Sequence, residues 1–141
     1  MGQKVHPRVF RLGIIGGWKS RWFARKNYAA MVEQDIRIRK YIAKKLRDGG
    51  IAQIDVERSG TNMTVNLYTS KPGIVIGRGG SGAEELKKEL RKKFLDKKMK
   101  LNLNIHEVTA PFLSAQLVAL SIIEQLEKRI PFRRAVKRSL E

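Results

Sequence analysis

The chain has 141 residues, 42% of them hydrophobic, and carries 30 Lys and Arg against 13 Asp and Glu, for a formal net charge of +17. This length and composition predict one domain, or a small domain with an arm, and the excess of cations predicts a polyanionic partner. The lack of Cys excludes thiolate catalysis, and the lack of an apolar run of roughly 18 residues argues against a membrane span, so we expect a soluble, cytoplasmic protein without a membrane partner.

The first 28 residues contain seven cations and no acid, with glycines and aromatic residues between the charges and no sustained helical or strand period. We predict a basic arm that docks on RNA and is poorly ordered when the protein is free. Its aromatic residues either stack on RNA bases or pack the arm onto the domain, and both alternatives stay open. The arm residues that we expect to bind RNA are Lys4, Arg8, Arg11, Trp18, Lys19, Arg21, Trp22 and Arg25.

Three elements are predicted between the arm and a cluster of glycines. Apolar residues recur at helical spacing over 29–48, which predicts an amphipathic helix that two glycines end. Apolar and polar residues then alternate over 52–56 and over 63–67, which predicts two strands joined by a short turn. Residues 72–76 favour a single helical turn.

The glycine cluster has the chemistry of a phosphate site, because glycines let a ligand approach the backbone and a following helix start supplies amide donors. Three interpretations stay open: the G-x-x-G loop by which KH domains clamp a nucleic-acid backbone, a tight structural turn, or a G-x-G-x-x-G dinucleotide fingerprint. The context favours the first, because Pro72-Gly73 interrupts the strand that a dinucleotide site requires. The loop residues that we expect at the RNA backbone are Gly77, Arg78, Gly79 and Gly80.

A helix is predicted after the loop, since Ser81 and Glu84 have the spacing of a capping box. Its apolar residues recur as far as Phe94, with cations on the other face, and alternation over 101–106 predicts a third strand with one wet face. The helix cations that we expect to contact RNA are Lys87, Lys88 and Arg91.

Two helices are predicted at the end of the chain. Pro111 suits the first turn of a long helix whose apolar stripe is so wide that we expect it to be buried on more than one side. Pro131 suits the first turn of a basic amphipathic helix in which Phe132, Val136 and Leu140 dock while four cations face outward.

We expect no catalytic residue, no metal site and no cofactor. His6 and His106 lie far apart in the sequence, and a surface or hydrogen-bonding role is favoured over metal ligation for both. Glu84 suits the start of a helix better than acid catalysis.

The order helix, strand, strand, glycine loop with helix, strand matches a type II KH arrangement, and several segments carry a more specific resemblance. They are Met1 to Pro7, Phe10 to Gly13, Trp18, Ser20 to Ala24, Val75 to Gly80 and Pro131 to Arg134. With these segments the whole chain resembles the bacterial ribosomal protein S three family of the small subunit.

The resemblance implies an α+β fold with a three-stranded mixed sheet packed against helices. It implies a basic N-terminal arm over 1–28, a type II KH domain over 29–130 and a basic helix over 131–141. A second α/β domain follows in the family, and we expect the present sequence to lack it.

The resemblance also implies a non-enzymatic protein in the head of the small subunit. Its partners would be small-subunit ribosomal RNA, messenger RNA and neighbouring ribosomal proteins. The alternatives are a free KH-type regulator of single-stranded RNA and a small nucleotide-dependent enzyme. The residues that the family implies at the messenger entrance are Arg133, Arg134 and Lys137.

Overall fold

The computed structural model describes residues 2–95 and 99–140, so Met1 and Glu141, the outermost residues of the predicted arm and basic helix, lie outside the described part. The helices are α1 Pro7–Phe10, α2 Tyr28–Lys45, α3 Pro72–Ile76, α4 Ser81–Phe94, α5 Ala115–Glu127 and α6 Phe132–Leu140. The strands are β1 Ser20–Arg21, β2 Ile51–Ser59, β3 Asn62–Thr69 and β4 Lys100–Glu107. Within the described ranges, none of the helices combines the length and the apolarity that a bilayer crossing needs.

The strands form one mixed sheet in the order β1-β2-β3-β4. A tight turn joins β2 to β3 as an antiparallel hairpin, while β1 and β4 run parallel to their neighbours. The three predicted strands and the α+β class are confirmed. The sheet gains a short fourth strand from the arm, held by a hydrogen bond from the Val56 amide to the Lys19 carbonyl at 2.9 Å.

Alternation along the strands separates a core face from a wet face. Met63, Val65 and Leu67 of β3 are completely buried, as the apolar period predicts. On the other face, the Asn104 side-chain amide donates to Asn66 Oδ1 at 2.9 Å. The predicted wet face of β4 is therefore confirmed, with Asn102, Asn104 and His106 exposed.

Helices α2 and α4 pack on the core face through residues that their helical spacing predicted. Ile38 and Ile42 of α2 are buried, as are Leu86 and Leu90 of α4. Burying each such side chain contributes about 1.5–3 kcal/mol. The α4 cations Lys87, Lys88 and Arg91 are exposed, whereas Lys93 donates to the Tyr41 hydroxyl of α2 at 3.0 Å.

A polar network ties the outer edges of α2 and α4 together. Lys45 Nζ donates to Glu85 at 3.0 Å and to Glu89 at 2.7 Å, and the Tyr41 hydroxyl also donates to Glu89. The hydrogen bond from Lys45, followed by that from Tyr41, holds the pKa of Glu89 below its ordinary value. The same pairing raises the pKa of Lys45, chiefly through its hydrogen bond with Glu89.

Helix α5 departs from its prediction. Its start is delayed, because Pro111–Leu113 form a 3-10 turn instead of the first helical turn. Leu117 is buried, but Phe112 is 90% and Leu113 88% exposed. The expectation that the stripe is buried on more than one side is therefore wrong for the described residues. The physical reason is that α5 packs against β2, α6 and the 3-10 turn before it, and these neighbours leave Ile123 and Leu126 exposed.

The capping box at the start of α4 is also wrong. Ser81 is the first helical residue, and the N-cap is Gly80, which has φ 84°. A left-handed backbone conformation at this position suits glycine. The N-cap of α4 is therefore formed by a glycine, and no side-chain hydrogen bond from the described residues caps the helix. This places the glycines directly on the helix start.

Candidate nucleic-acid interface

The glycine loop joins the end of α3 to the start of α4 in a helix-turn-helix. Gly77 ends α3 with φ 72°, and Gly79 and Gly80 follow with φ 59° and 84°. These backbone conformations are strained for residues with a Cβ. Helix α3, rather than a buried strand, leads into the glycines, so the geometry does not fit the dinucleotide interpretation.

Two of the glycines serve close packing and two leave the backbone open. A Cβ on Gly77 would lie 2.9 Å from the Gly82 amide nitrogen, and a Cβ on Gly82 would lie 3.0 Å from the Val75 carbonyl oxygen. Around Gly79 and Gly80, by contrast, no atom of the described residues comes within 4 Å of an added Cβ. Close packing at Gly77 and Gly82 thus stabilises the loop, while a ligand can approach the backbone at Gly79 and Gly80.

The surroundings of this open backbone combine charge with apolar surface. Arg78 is exposed within the loop, and Lys87, Lys88 and Arg91 are exposed along α4. Ile74 and Ile76 of α3 are exposed before the loop, which the sequence analysis did not consider. Amide donors at the start of α4 and a guanidinium suit a phosphate, and exposed apolar side chains suit a base.

The arm is held to the domain at a buried carboxylate that the sequence analysis missed. Both Ser20 Oγ and Trp22 Nε1 donate to Asp35 Oδ2 at 2.8 Å. Arg58 Nε donates to the other oxygen, Oδ1, at 3.1 Å, and the two charged side chains are almost completely buried. The sequence signal that could have indicated this anchor is Asp35 itself, an acid three residues before Ile38 and seven before Ile42 on the apolar stripe of α2.

Further contacts fix the segment on either side of β1. Arg39 Nη2 donates to the Lys19 carbonyl at 2.8 Å and to Ser20 Oγ at 2.6 Å, and Arg21 Nη1 pairs with Glu57 at 3.3 Å. The segment from Lys19 to Trp22 is therefore fixed by directional bonds. The role of Arg21 in RNA binding stays a prediction.

The arm aromatics divide between the two alternatives. Trp22 is half-buried, bonded to Asp35 and in ring contact with Tyr28 at 5.3 Å between centroids. Trp18 is 62% and Phe23 83% exposed. The packing alternative therefore holds for Trp22, whereas the ring of Trp18 is available to a ligand.

The arm cations remain on the surface. His6 Nδ1 accepts from the Arg8 amide at 3.2 Å and caps α1, which confirms the hydrogen-bonding role expected of this histidine. The exposed arm residues among the predicted contacts are Lys4, Arg8, Arg11, Trp18, Lys19, Arg21 and Arg25. That the arm is poorly ordered in the free protein stays a prediction.

Helix α6 presents its cations to solvent. The Pro131 carbonyl accepts from the amides of Arg134 and Ala135 at 3.0 and 3.1 Å, so this proline marks the helix start as predicted. Ala135 is the buried contact, whereas Phe132 and Val136 are exposed, so their predicted docking is wrong; the side chain of Leu140 lies outside the described part. The reason is that α6 packs on α5 through the side that carries Ala135. The exposed cations of α6 are Arg133, Arg134, Lys137 and Arg138.

The predicted contacts thus lie on three elements, namely the arm, the glycine loop with α4, and α6. In the portion of the chain that the structure describes, no group of three His, Asp or Glu side chains is arranged to hold a metal ion.

Comparison with known proteins gives two results. Residues 37–113 match the model of a family described as the KH domain. The chain is also similar to small ribosomal subunit protein uS3 of Caldicellulosiruptor bescii, with 51% identity over 99% of this chain. The uS3 proteins of Desulfitobacterium hafniense and Myxococcus xanthus are 46% and 48% identical over 100% of it. In each case the chain spans 63% of the length of the curated relative.

Proposed function

Because the chain belongs to the KH domain family and resembles uS3 proteins over its whole length, we propose that it is a structural RNA-binding protein of the bacterial small ribosomal subunit. Its partners in the head of the subunit are ribosomal RNA and neighbouring ribosomal proteins, and its place is the ribosome in the cytoplasm. In this proposal the protein binds RNA and does not catalyse a reaction.

The observation that carries this proposal is the open backbone of Gly79 and Gly80 at the start of α4. A strand of RNA can place a phosphate against these glycines, where helix amides and Arg78 donate to it. Bases next to that phosphate can lie over Ile74 and Ile76. Clamping the backbone in this way positions the strand without reading much of its sequence.

The net charge supplies the affinity that the loop alone does not. Each Lys or Arg that neutralises a phosphate releases condensed counterions, so binding weakens as salt rises. The exposed cations of the arm and of α4 give this chain a large reserve of such contacts. Ribosomal RNA is the partner that could engage them together.

Helix α6 serves messenger RNA in this proposal. Arg133, Arg134 and Lys137 project from a helix whose start is fixed by Pro131. At the messenger entrance these cations would hold a single strand and bias the unwinding of structured messages. Charge alone would drive this step, without nucleotide hydrolysis.

The loop contact is tested with Gly79→Asp, for which Gly60→Asp is a matched control. Gly60 has a similar φ of 56°, and no atom of the described chain lies near its added Cβ. We expect Gly79→Asp, alone and with Arg78→Asp, to weaken binding to single-stranded RNA and to lower the slope of log K against log salt by roughly 0.7 per lost contact. Equal affinity for the two glycine variants would leave the loop as a structural turn.

The place in the ribosome is tested by co-sedimentation of the chain with small subunits at high salt. We expect it to stay bound, whereas a free KH-type regulator would wash off and keep its affinity for short RNA alone.

The α6 contact is tested with Arg133, Arg134 and Lys137 all replaced by Ala in a full-length version. Slower translation through stable hairpins, with unstructured messages unaffected, is the expected result, and equal rates on hairpins would contradict it.

A further inference from the structure

A cleft of about 670 Å³ lies between the arm and the domain, away from the glycine loop. Helix α1 and the residues after it form one wall, and α2 with the start of β2 forms the other. Its volume falls within the range of about 300–1,000 Å³ that is common for small-ligand sites. The hydrogen bonds of Ser20 and Trp22 to Asp35 hold the two walls together.

Both tryptophans of the chain line this cleft. Trp22 is anchored by its indole nitrogen, and Tyr28 packs against it, so this part of the wall is rigid. Trp18 lines the same cleft, and 62% of its surface is exposed. A cleft that holds an accessible indole and a packed aromatic pair is suited to a flat, aromatic ligand.

The charges around the cleft select an anion. Arg8, Arg11 and Lys19 of the arm line it, together with Arg39 of α2. The one acid among the lining residues is Asp35, and its charge is compensated by the buried Arg58. An aromatic wall with a cationic rim matches a nucleotide, whose base stacks and whose phosphate pairs with arginine.

We propose that this cleft binds one unpaired nucleotide of a folded RNA, with the base against Trp18 and the phosphate toward the arginines of the arm. The inference rests on the proposed RNA binding and adds to it a second site with a different ligand preference. The glycine loop takes an extended strand, whereas a concave cleft lined by aromatic side chains suits a single nucleotide that has left the stack of a duplex.

The test uses the whole chain and a short RNA duplex with one bulged adenosine, beside the same duplex without the bulge. Fluorescence anisotropy of labelled RNA should give about tenfold tighter binding for the bulged duplex, the order of one base–aromatic stack. Because both tryptophans lie in the cleft, the bulged RNA should also quench the intrinsic fluorescence more strongly than the paired one.

Trp18→Leu should reduce the ratio of the two affinities, bulged duplex to paired duplex, from about ten to about one. Phe23→Leu is the matched control, since Phe23 is a more exposed arm aromatic outside the cleft. Thermal unfolding of both variants should stay at the parent value. If the parent binds the two duplexes with equal affinity while Gly79→Asp still weakens binding of single-stranded RNA, the proposal that the cleft binds a nucleotide is overturned and the proposed function is not. Failure of the parent to bind any of these RNAs would overturn the proposed function as well.

Discussion

The arm and the α5–α6 pair flank the same domain, and they are attached to it in opposite ways. The arm is short in regular structure, yet hydrogen bonds from Ser20 and Trp22 fix it to a buried carboxylate. Helices α5 and α6 are far more regular, yet the domain meets them mainly through Leu117 and an exposed ion pair between Arg47 and Glu127. A segment's secondary structure therefore says little about how firmly it is held.

The physical difference lies in the kind of contact. Bonds to Asp35 are directional and shielded from water, so each one specifies a position for the arm. Apolar contacts are not directional, and they leave Ile123 and Leu126 of α5, and Phe112 and Leu113 of the 3-10 turn before it, exposed to solvent. Four perturbations should separate these two modes of attachment.

The largest effect is expected from Asp35→Ala. This change strips Arg58 of its partner in a buried site, which costs about 3–5 kcal/mol of the free energy of unfolding. It also removes the acceptor for Ser20 and Trp22, so trypsin should cut the arm sooner. Urea unfolding and timed digestion measure the two effects, and a parent-like cutting rate would show that the arm is held by other contacts.

The second effect is expected from Leu117→Ala, which empties the side of α5 that meets the domain. The expected loss is at the low end of about 2–5 kcal/mol, because Leu117 retains some exposure. Leu113→Ala, at an exposed leucine in the 3-10 turn just before α5, is the control and should leave the free energy of unfolding unchanged. Similar losses for both leucines would mean that α5 is covered on more sides than the contacts indicate.

Replacing both Phe112 and Leu113 with Ser should change stability less, but it should clearly lower the apolar area exposed on the surface. The variant should bind less of a hydrophobic dye such as ANS and aggregate less, at an unchanged melting temperature. A lowered melting temperature would instead show that these side chains contribute to the core.

The smallest effect on stability is expected from the polar network between α2 and α4. Because this network lies inside the domain, it gives a comparison for the changes made in the arm and in α5. The pKa of Glu89 is held low by Lys45 and Tyr41, so its contribution to stability is present above the ordinary carboxyl pKa of about 4.3 and is lost as pH falls through the lowered value. Glu89→Gln should therefore flatten the fall in melting temperature between neutral and acid pH. Glu107→Gln, an exposed carboxylate on β4, should follow the parent curve.

Most of the domain could be predicted from periodicity because its elements are local. Alternation identified β3, whose Met63, Val65 and Leu67 are buried as a set, and helical spacing identified Leu86 and Leu90. The flanks resisted prediction because their contacts are distant in sequence. Nothing in the pattern of residues 19–22 indicates that their partners are Asp35, Arg39 and Val56.

The candidate site was predictable in part for a related reason. Glycines before a helix indicate an open backbone, and Gly79 and Gly80 have that geometry. The closeness of Gly77 to Gly82 depends on how α3 folds back on α4, and the capping box failed because Gly80 takes the cap through its own backbone. The exposure of α5 could not be predicted. An apolar stripe indicates that one face of a helix favours burial, but it does not show whether another element of the same chain packs against that face.

The parallel pairing of β1 has a consequence for the order of folding. The hairpin of β2 and β3 closes through a tight turn, whereas Ser20 pairs with Val56, 36 residues later in the chain. Hairpins form within about 1–10 μs, and closing a longer loop carries a greater entropic cost. Synthesis from the N-terminus sharpens the contrast, because the arm leaves the ribosome first while the strand that receives it has yet to be made. The arm is thus fixed to the sheet only after the hairpin has formed, and until then its cations can meet phosphates in any orientation.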